Sequence, residues 1–177
     1  VFSFDTYNDI LKVNSVMASA YLADSKILRD EDKEFLKNLP EQKEIEISGL
    51  KILLVHGSPR RDDENIYPDL NIKTVEDIIA GTDSDIILCG HTHTPCGYQT
   101  ETNQTVINAG SIGRPFTKNP DACYVLLDID TNGGSFMAEH RFIKYDKEKA
   151  SEKVKERGFD GAEKLSGMLS NPQTRYP

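Results

Sequence analysis

The chain is predicted to fold as a mixed α/β protein. Three features of its hydrophobic pattern say so: helical spacing of apolar residues near both ends, short apolar runs rich in β-formers between them, and one strand–loop–helix–strand alternation that gives way to strands alone. A length of 177 residues accommodates one domain, with or without an appendage, and 37% apolar residues can supply its core.

The elements follow in order. Over residues 9–21, Ile10, Val13, Met17 and Ala20 recur every three to four positions, so one helix with one buried face is expected. A second spans 30–39, with Phe35, Leu36 and Leu39 inward and Pro40 as the stop. The period then changes. Ile45 and Ile47 alternate with glutamates, and after Gly49 the apolar run 51–55 reads as a central strand. Residues 57–69 hold two prolines, a glycine, a serine and the charges Arg60, Arg61, Asp62, Asp63, Glu64 and Asp69, which excludes a strand and predicts a long surface loop, the usual place for function. Thr74 can cap a short helix over 75–80, and 85–89 is another buried strand. Residues 98–101 and 105–107 form a hairpin about Thr102-Asn103. Two longer strands, 122–129 and 135–145, flank a turn at 132–134. Helices over 147–157 and 161–169 follow, and 171–177 is expected to fray.

Composition narrows the function. A net charge of -8 with an isoelectric point near 5.0 argues against stable binding to a nucleic-acid backbone, since each phosphate contact needs a basic group. No apolar run reaches the roughly 18 residues of a membrane span, and the first ten residues lack the regions of a signal peptide, so the chain is expected to be soluble and cytoplasmic. Cys89, Cys96 and Cys123 are odd in number and include no C-x-x-C pair, against a disulfide framework.

The chemistry concentrates on histidines. His56 follows the strand at 51–55, and His91 and His93 follow the strand at 85–89. Ligands bind beyond the carboxyl ends of strands in open α/β sheets, so the three imidazoles converge on one crevice if those strands are neighbours. Glycine adjoins both His56 and His91, which allows a sharp turn. A lone histidine is usually a packed residue, and His140, inside a strand, is given no role; three at strand ends point instead to a metal site. Residues 108–115, Asn-Ala-Gly-Ser-Ile-Gly-Arg-Pro, also follow a strand, and Asn108, Gly110, Ser111 and Arg114 can contact an anion, although a plain Gly/Ser turn explains them equally well. Arg60 is the other candidate anion contact, with a solvated loop as its alternative. A zinc site built on Cys89 and Cys96 would have a spacing unlike the common ribbons, and Cys89 lies in an apolar run that favours a buried thiol.

Taken together, His56-Gly57-Ser58-Pro59, Gly90-His91-Thr92-His93-Thr94-Pro95 and residues 108–115, in that order, resemble the calcineurin-like metallophosphoesterase superfamily, and most closely its small prokaryotic phosphodiesterase-like branch. The tail, with 122–127 and Tyr145-Asp146, resembles that branch too. The resemblance implies a four-layer αββα sandwich. It also implies two divalent transition-metal ions, variously manganese, iron, zinc or nickel, and a metal-bound hydroxide that attacks phosphorus in line. By the same resemblance His56 and His91 would hold one metal and His93 the other, and the partner would be a small phosphate ester, with a nucleotide among the candidates; self-association into a homo-oligomer is left open.

The same family pattern requires D-x-H, G-D and G-N-H-D motifs. No aspartate stands two before any histidine here, and neither Gly-Asp nor Gly-Asn occurs. Residues 1–177 are therefore expected to be the C-terminal portion of a single metallophosphoesterase domain, N-terminally incomplete, without a catalytic residue of its own and inactive in isolation, the missing motifs lying upstream of Val1. The alternative is a metallophosphoesterase-like binding or scaffold protein that has lost catalysis. A metallo-β-lactamase-type site is excluded, because Pro95 and Cys96 stand where its motif needs Asp and His.

Overall fold

The computed structural model describes residues 4–132, 134–171 and 174. They divide into two compact units, one formed by residues up to Pro40 with Asp146–Asn171, the other by Glu41–Tyr145.

The second unit carries the sheet. Its strands β1 (Gln42–Ile47), β2 (Leu50–Val55), β3 (Ile86–Cys89), β4 (Cys96–Gln99) and β5 (Thr105–Asn108) lie in the order β1-β2-β3-β5-β4. The inner strands β2, β3 and β5 are parallel, with Ile52 opposite Ile86 and Ile86 opposite Thr105, while β1 and β4 close the two sides antiparallel. Parallel inner strands are covered on both faces, which is why β3 is apolar at every position. On one face Leu53, Ile87 and Val106 pack under Val75, Ile78 and Ile79 of helix α4 (Ile72–Ile79), joined by Ile66 from the loop. On the other, Ile52, Ile86 and Ile107 meet Val125, Leu127, Ile129 and Phe136 of a two-stranded antiparallel sheet, β6 (Ala122–Ile129) with β7 (Phe136–Ile143). Each fully buried aliphatic side chain contributes about 1.5–3 kcal/mol, so this sandwich fixes the inner strands firmly. Their carboxyl ends share one edge of the sheet, and the sequences that follow them emerge there together.

The helical unit contains α1 (Phe4–Val13), α2 (Ser15–Ile27), α3 (Asp30–Lys37), α5 (Lys147–Glu156) and α6 (Ala162–Ser170). Helices α5 and α6 are pinned by the buried Ser151 hydroxyl, which donates to Ser166 O at 3.0 Å. Arg157 pairs with Asp24. No helix among the described residues is long and apolar enough to cross a membrane.

Local chemistry corrects several expectations. The helix expected over 9–21 is two helices, because the Asn14 side chain accepts a hydrogen bond from Met17 N at 3.1 Å and starts a new one. The restart resets the phase: Val16, Ala18 and Ala20 are buried and Met17 is exposed. Helix α3 forms as expected, but Phe35 at 67% exposure, with Leu36 and Leu39 also exposed, does not face inward; no described residue of α3 is buried. Helix α4 starts at Ile72, since Asn71 rather than Thr74 caps it, accepting from Thr74 N at 2.9 Å. The expected fraying tail falls almost wholly, and Gly133 of the expected turn entirely, outside the described residues.

Candidate functional site

Because β2 and β3 are parallel neighbours, His56 and His91 leave the sheet side by side. His56 Nε2 lies 3.1 Å from His91 Nδ1, with the rings edge to face at a centroid separation of 5.0 Å. As a hydrogen bond this contact needs one ring to donate and the other to accept. The distance also suits two ligands of one cation: nitrogens each ~2.0–2.1 Å from a shared metal stand about 2.9–3.4 Å apart for right-angle to tetrahedral geometry.

The turn after β3 is strained. His91 (φ 62°) and His93 (φ 56°) both occupy the left-handed region, which a residue with a Cβ rarely adopts and which costs about 1–3 kcal/mol apiece. The glycine beside His91 was expected to make this turn, yet Gly90 has no positive φ and an added Cβ there would meet His56 O only at 3.7 Å. The histidines bend the chain themselves. Gly57, by contrast, is required: a Cβ would stand 2.3 Å from Asp62 O, where the loop folds back over it.

His93 is oriented from a third strand. The segment after β5 turns at Ser111, whose Oγ accepts from Arg114 N at 3.0 Å, and brings Arg114 O within 2.7 Å of His93 Nδ1. A carbonyl only accepts, so Nδ1 carries the hydrogen and Nε2 is the lone-pair nitrogen of the neutral ring. Burial holds the His93 pKa below its ordinary value; the bond to Arg114 O pulls the other way, and the charges of Arg114, His91 and His56 reinforce burial. The ring stacks on Phe116 at 5.5 Å, and the Arg114 guanidinium lies 5.0 Å from the same ring.

Asn108 is fully buried at the end of β5. Its Nδ2 donates to Gly90 O (2.7 Å), Thr92 Oγ1 (2.9 Å) and Ile66 O (3.3 Å), and its Oδ1 accepts from Gly110 N at 3.1 Å. The carboxamide expected to contact an anion is thus engaged by the chain itself. Gly110 has φ 78° and sits against the Cys123 thiol, 3.0 Å from where its Cβ would be. Arg60 is likewise committed: its guanidinium forms a two-pronged bond with Glu64 (2.7 and 2.6 Å) and a third to Asp77 O (3.0 Å). The structure therefore groups His56, His91, His93 and the Ser111–Arg114 turn, and gives Asn108 and Arg60 internal partners. Two residues carry more of the site than the sequence suggested. Thr92 is buried and accepts from Asn108, and His140 Nε2 donates to Asn108 O at 2.8 Å across the sandwich. The inward register of His140 beside Val125 was the available signal.

Burial pushes the Cys89 thiol up to about 12, helped by the neighbouring Cys96, and the Cys96 thiol up to about 11. Both stay protonated at neutral pH, as packed thiols rather than metal ligands. A recess of about 470 Å³ is lined by residues such as Gln42, Glu44, Arg60 and Asp83 and includes none of the three histidines.

Three imidazoles, one with its tautomer set by a carbonyl, fit the nitrogen part of a transition-metal shell. Among the described residues no group of three or more His, Cys, Asp and Glu side chains is placed to hold a metal ion, so the fit covers part of a shell.

A family model, the calcineurin-like phosphoesterase superfamily domain, matches residues 7–132. The chain belongs to the calcineurin-like phosphoesterase superfamily. The sequence is similar to that of an uncharacterised protein of Methanocaldococcus jannaschii, 29% identical over 157 residues that cover 80% of this chain and 60% of the relative. In fold it is similar to a hypothetical protein from Pyrococcus horikoshii (TM-score 0.78, 23% identity, 93% of this chain and 63% of that one). A metallophosphoesterase from Sphaerobacter thermophilus aligns at TM-score 0.68 and 22% identity over 85% of this chain and 66% of its own. At such identities the two structures establish the fold, and this superfamily chain spans under two thirds of each relative's length.

Proposed function

We propose that this chain supplies the imidazole half of a dinuclear metal centre in a phosphoesterase that hydrolyses phosphate mono- or diesters. The observation that carries the reading is the approach of His56 Nε2 and His91 Nδ1 to 3.1 Å at the ends of adjacent parallel strands. His56 and His91 hold one divalent cation; His93, through Nε2, holds the second. When bound, such cations neutralise the phosphate and bring a water toward ionisation near neutral pH. The chain's own groups do the rest. Arg114 O keeps the His93 proton on Nδ1, Phe116 stacks on its ring, and Ser111 and Arg114 offer a hydroxyl and a guanidinium beside the metals for phosphate oxygens. Neutral imidazoles leave the cations' charge uncompensated, so carboxylates from elsewhere in the natural protein complete the shell, and residues 1–177 alone turn over little or no substrate. The substrate is a small phosphate ester rather than nucleic acid, in keeping with the net charge of -8.

The natural protein carrying this sequence is assayed with Mn²⁺ on chromogenic phosphate mono- and diesters, beside His91→Ala. The expected loss exceeds about a hundredfold, beyond the ten- to hundredfold typical of residues that only support metal ligands. Equal rates for the two proteins, or no metal-dependent turnover in the first, would refute the reading and favour a binding protein on the same fold.

A further inference from the structure

A carboxamide sealed at the end of an apolar strand is tolerated only when its polar atoms are paired. Asn108 pairs its own with four pieces of chain. Its two N–H groups reach Gly90 O, Thr92 Oγ1 and Ile66 O, and its oxygen takes Gly110 N–H. Gly90 and Thr92 bracket His91, whose left-handed φ of 62° would relax without an external hold. Thr92 in turn accepts from Thr94 N at 3.2 Å, which extends the hold past His93. From the opposite sheet, His140 donates to the Asn108 carbonyl at 2.8 Å and fixes the strand end that presents the amide. Three acceptors crowd one NH₂ group, so an isosteric carboxylate, which cannot donate, does not replace it.

We infer that Asn108 is a positioning residue: its buried carboxamide, clasping Gly90 O and Thr92 Oγ1, holds the strained turn that aims His91 at His56, and so sets metal affinity and turnover without touching substrate. The inference rests on the proposed metal site for its kinetic consequence; its structural consequence concerns the imidazole pair alone.

The test uses Asn108→Asp, Thr92→Val and Thr92→Ser in the natural protein. Thr92→Val deletes the acceptor with little change of shape, and Thr92→Ser restores it. Expected for Asn108→Asp and Thr92→Val is a ten- to hundredfold weakening of Mn²⁺ binding by calorimetry and a similar fall in kcat. KM at saturating Mn²⁺ stays within about twofold, and Thr92→Ser behaves like the parent. In the metal-free protein, selectively ¹⁵N-labelled histidines report directly: the His91 resonances move, while an unchanged circular-dichroism spectrum shows that the fold persists. A raised KM with Mn²⁺ affinity intact would make Asn108 a substrate contact and overturn the inference, as would an unmoved His91 in Thr92→Val. Should Asn108→Asp not fold, Thr92→Val against Thr92→Ser decides. Absence of turnover in the parent refutes the phosphoesterase reading only, and the histidine resonances still decide this one.

Discussion

Two loops leave neighbouring parallel strands and are held by opposite kinds of force. The loop after β2 carries its own charges and pairs them close by: Arg60 on Glu64 and on Asp77 O of helix α4, Arg61 on Asp63, and the Ser58 hydroxyl on Glu64 at 2.6 Å. The turn after β3 contains no charged pair; a neutral, buried amide from β5 and a buried threonine hydroxyl keep two histidines in a conformation they disfavour. Exposed ion pairs contribute little each and are screened by salt, whereas a buried donor or acceptor deprived of its partner incurs the full desolvation cost. The difference shows where the fold stores precision: in the neutral turn that presents His91 and His93, not in the more conspicuous charged loop.

The largest expected effect breaks the neutral side. Asn108→Ala removes the donor to Gly90 O and Thr92 Oγ1 and the acceptor for Gly110 N, leaving buried groups unsatisfied, and should lower stability on the order of 3 kcal/mol. Urea unfolding of the natural protein measures it. A loss no greater than that from changes in the charged loop would mean that the turn is held by something else.

That asymmetry was only half visible in the sequence. The inner strands are legible because apolar runs such as those of β2 and β3 have no other economical burial, and parallel neighbours then bring their terminal histidines together. What pattern could not supply was pairing across the sheet. Nothing near Asn108 in sequence announces that its amide faces Gly90, eighteen positions back, or that His140 reaches its carbonyl from β7. The small residues after Asn108, and the place of Arg60 just downstream of His56, point both groups outward toward an anion; three-dimensional partners turn them inward. At the amino end, a single asparagine divided an apparently continuous helix, since one capping bond outweighs an unbroken apolar period. Helix α3 was read from spacing alone, which says that a face is apolar but not that anything covers it.

A middle-sized effect tests the charged loop through its backbone. Gly57→Ala places a methyl 2.3 Å from Asp62 O, within a turn where Ser58 N already donates to Arg61 O at 2.9 Å, so the loop must shift. The expected cost is about 1–3 kcal/mol, by analogy with overpacking elsewhere. Since His56 immediately precedes Gly57, Mn²⁺ affinity should weaken as well. Unfolding and calorimetry on the same variant separate the two consequences: a stability loss with unchanged affinity would show that the loop and the imidazole pair are mechanically independent, and would sharpen the contrast drawn above.

The smallest effect comes from the charges themselves. The Arg60 guanidinium holds the Glu64 carboxyl below its usual range; burial opposes it, and the Ser58 hydroxyl and the charges of Arg60 and Arg61 add to the lowering. A carboxylate whose pKa is depressed in the folded state binds fewer protons there than in the unfolded chain, so the stability it adds is present above the unfolded value, about 4.3, and is lost as pH falls through the folded one. Parent and Glu64→Gln should therefore differ in urea midpoint at pH 7, and the difference should shrink as pH falls below the unfolded value. Arg60 is half exposed, so the pH 7 difference should also shrink between 0.05 and 0.5 M NaCl, roughly as the screening length falls from above to below 10 Å. Asn108→Ala should show no such salt dependence, because the side-chain bonds it removes run to neutral groups. A gap for Glu64→Gln that shrank neither on acidification nor in high salt would mean that the loop is held by packing around Glu64 rather than by its charge, and the contrast between the two loops would reduce to one of degree.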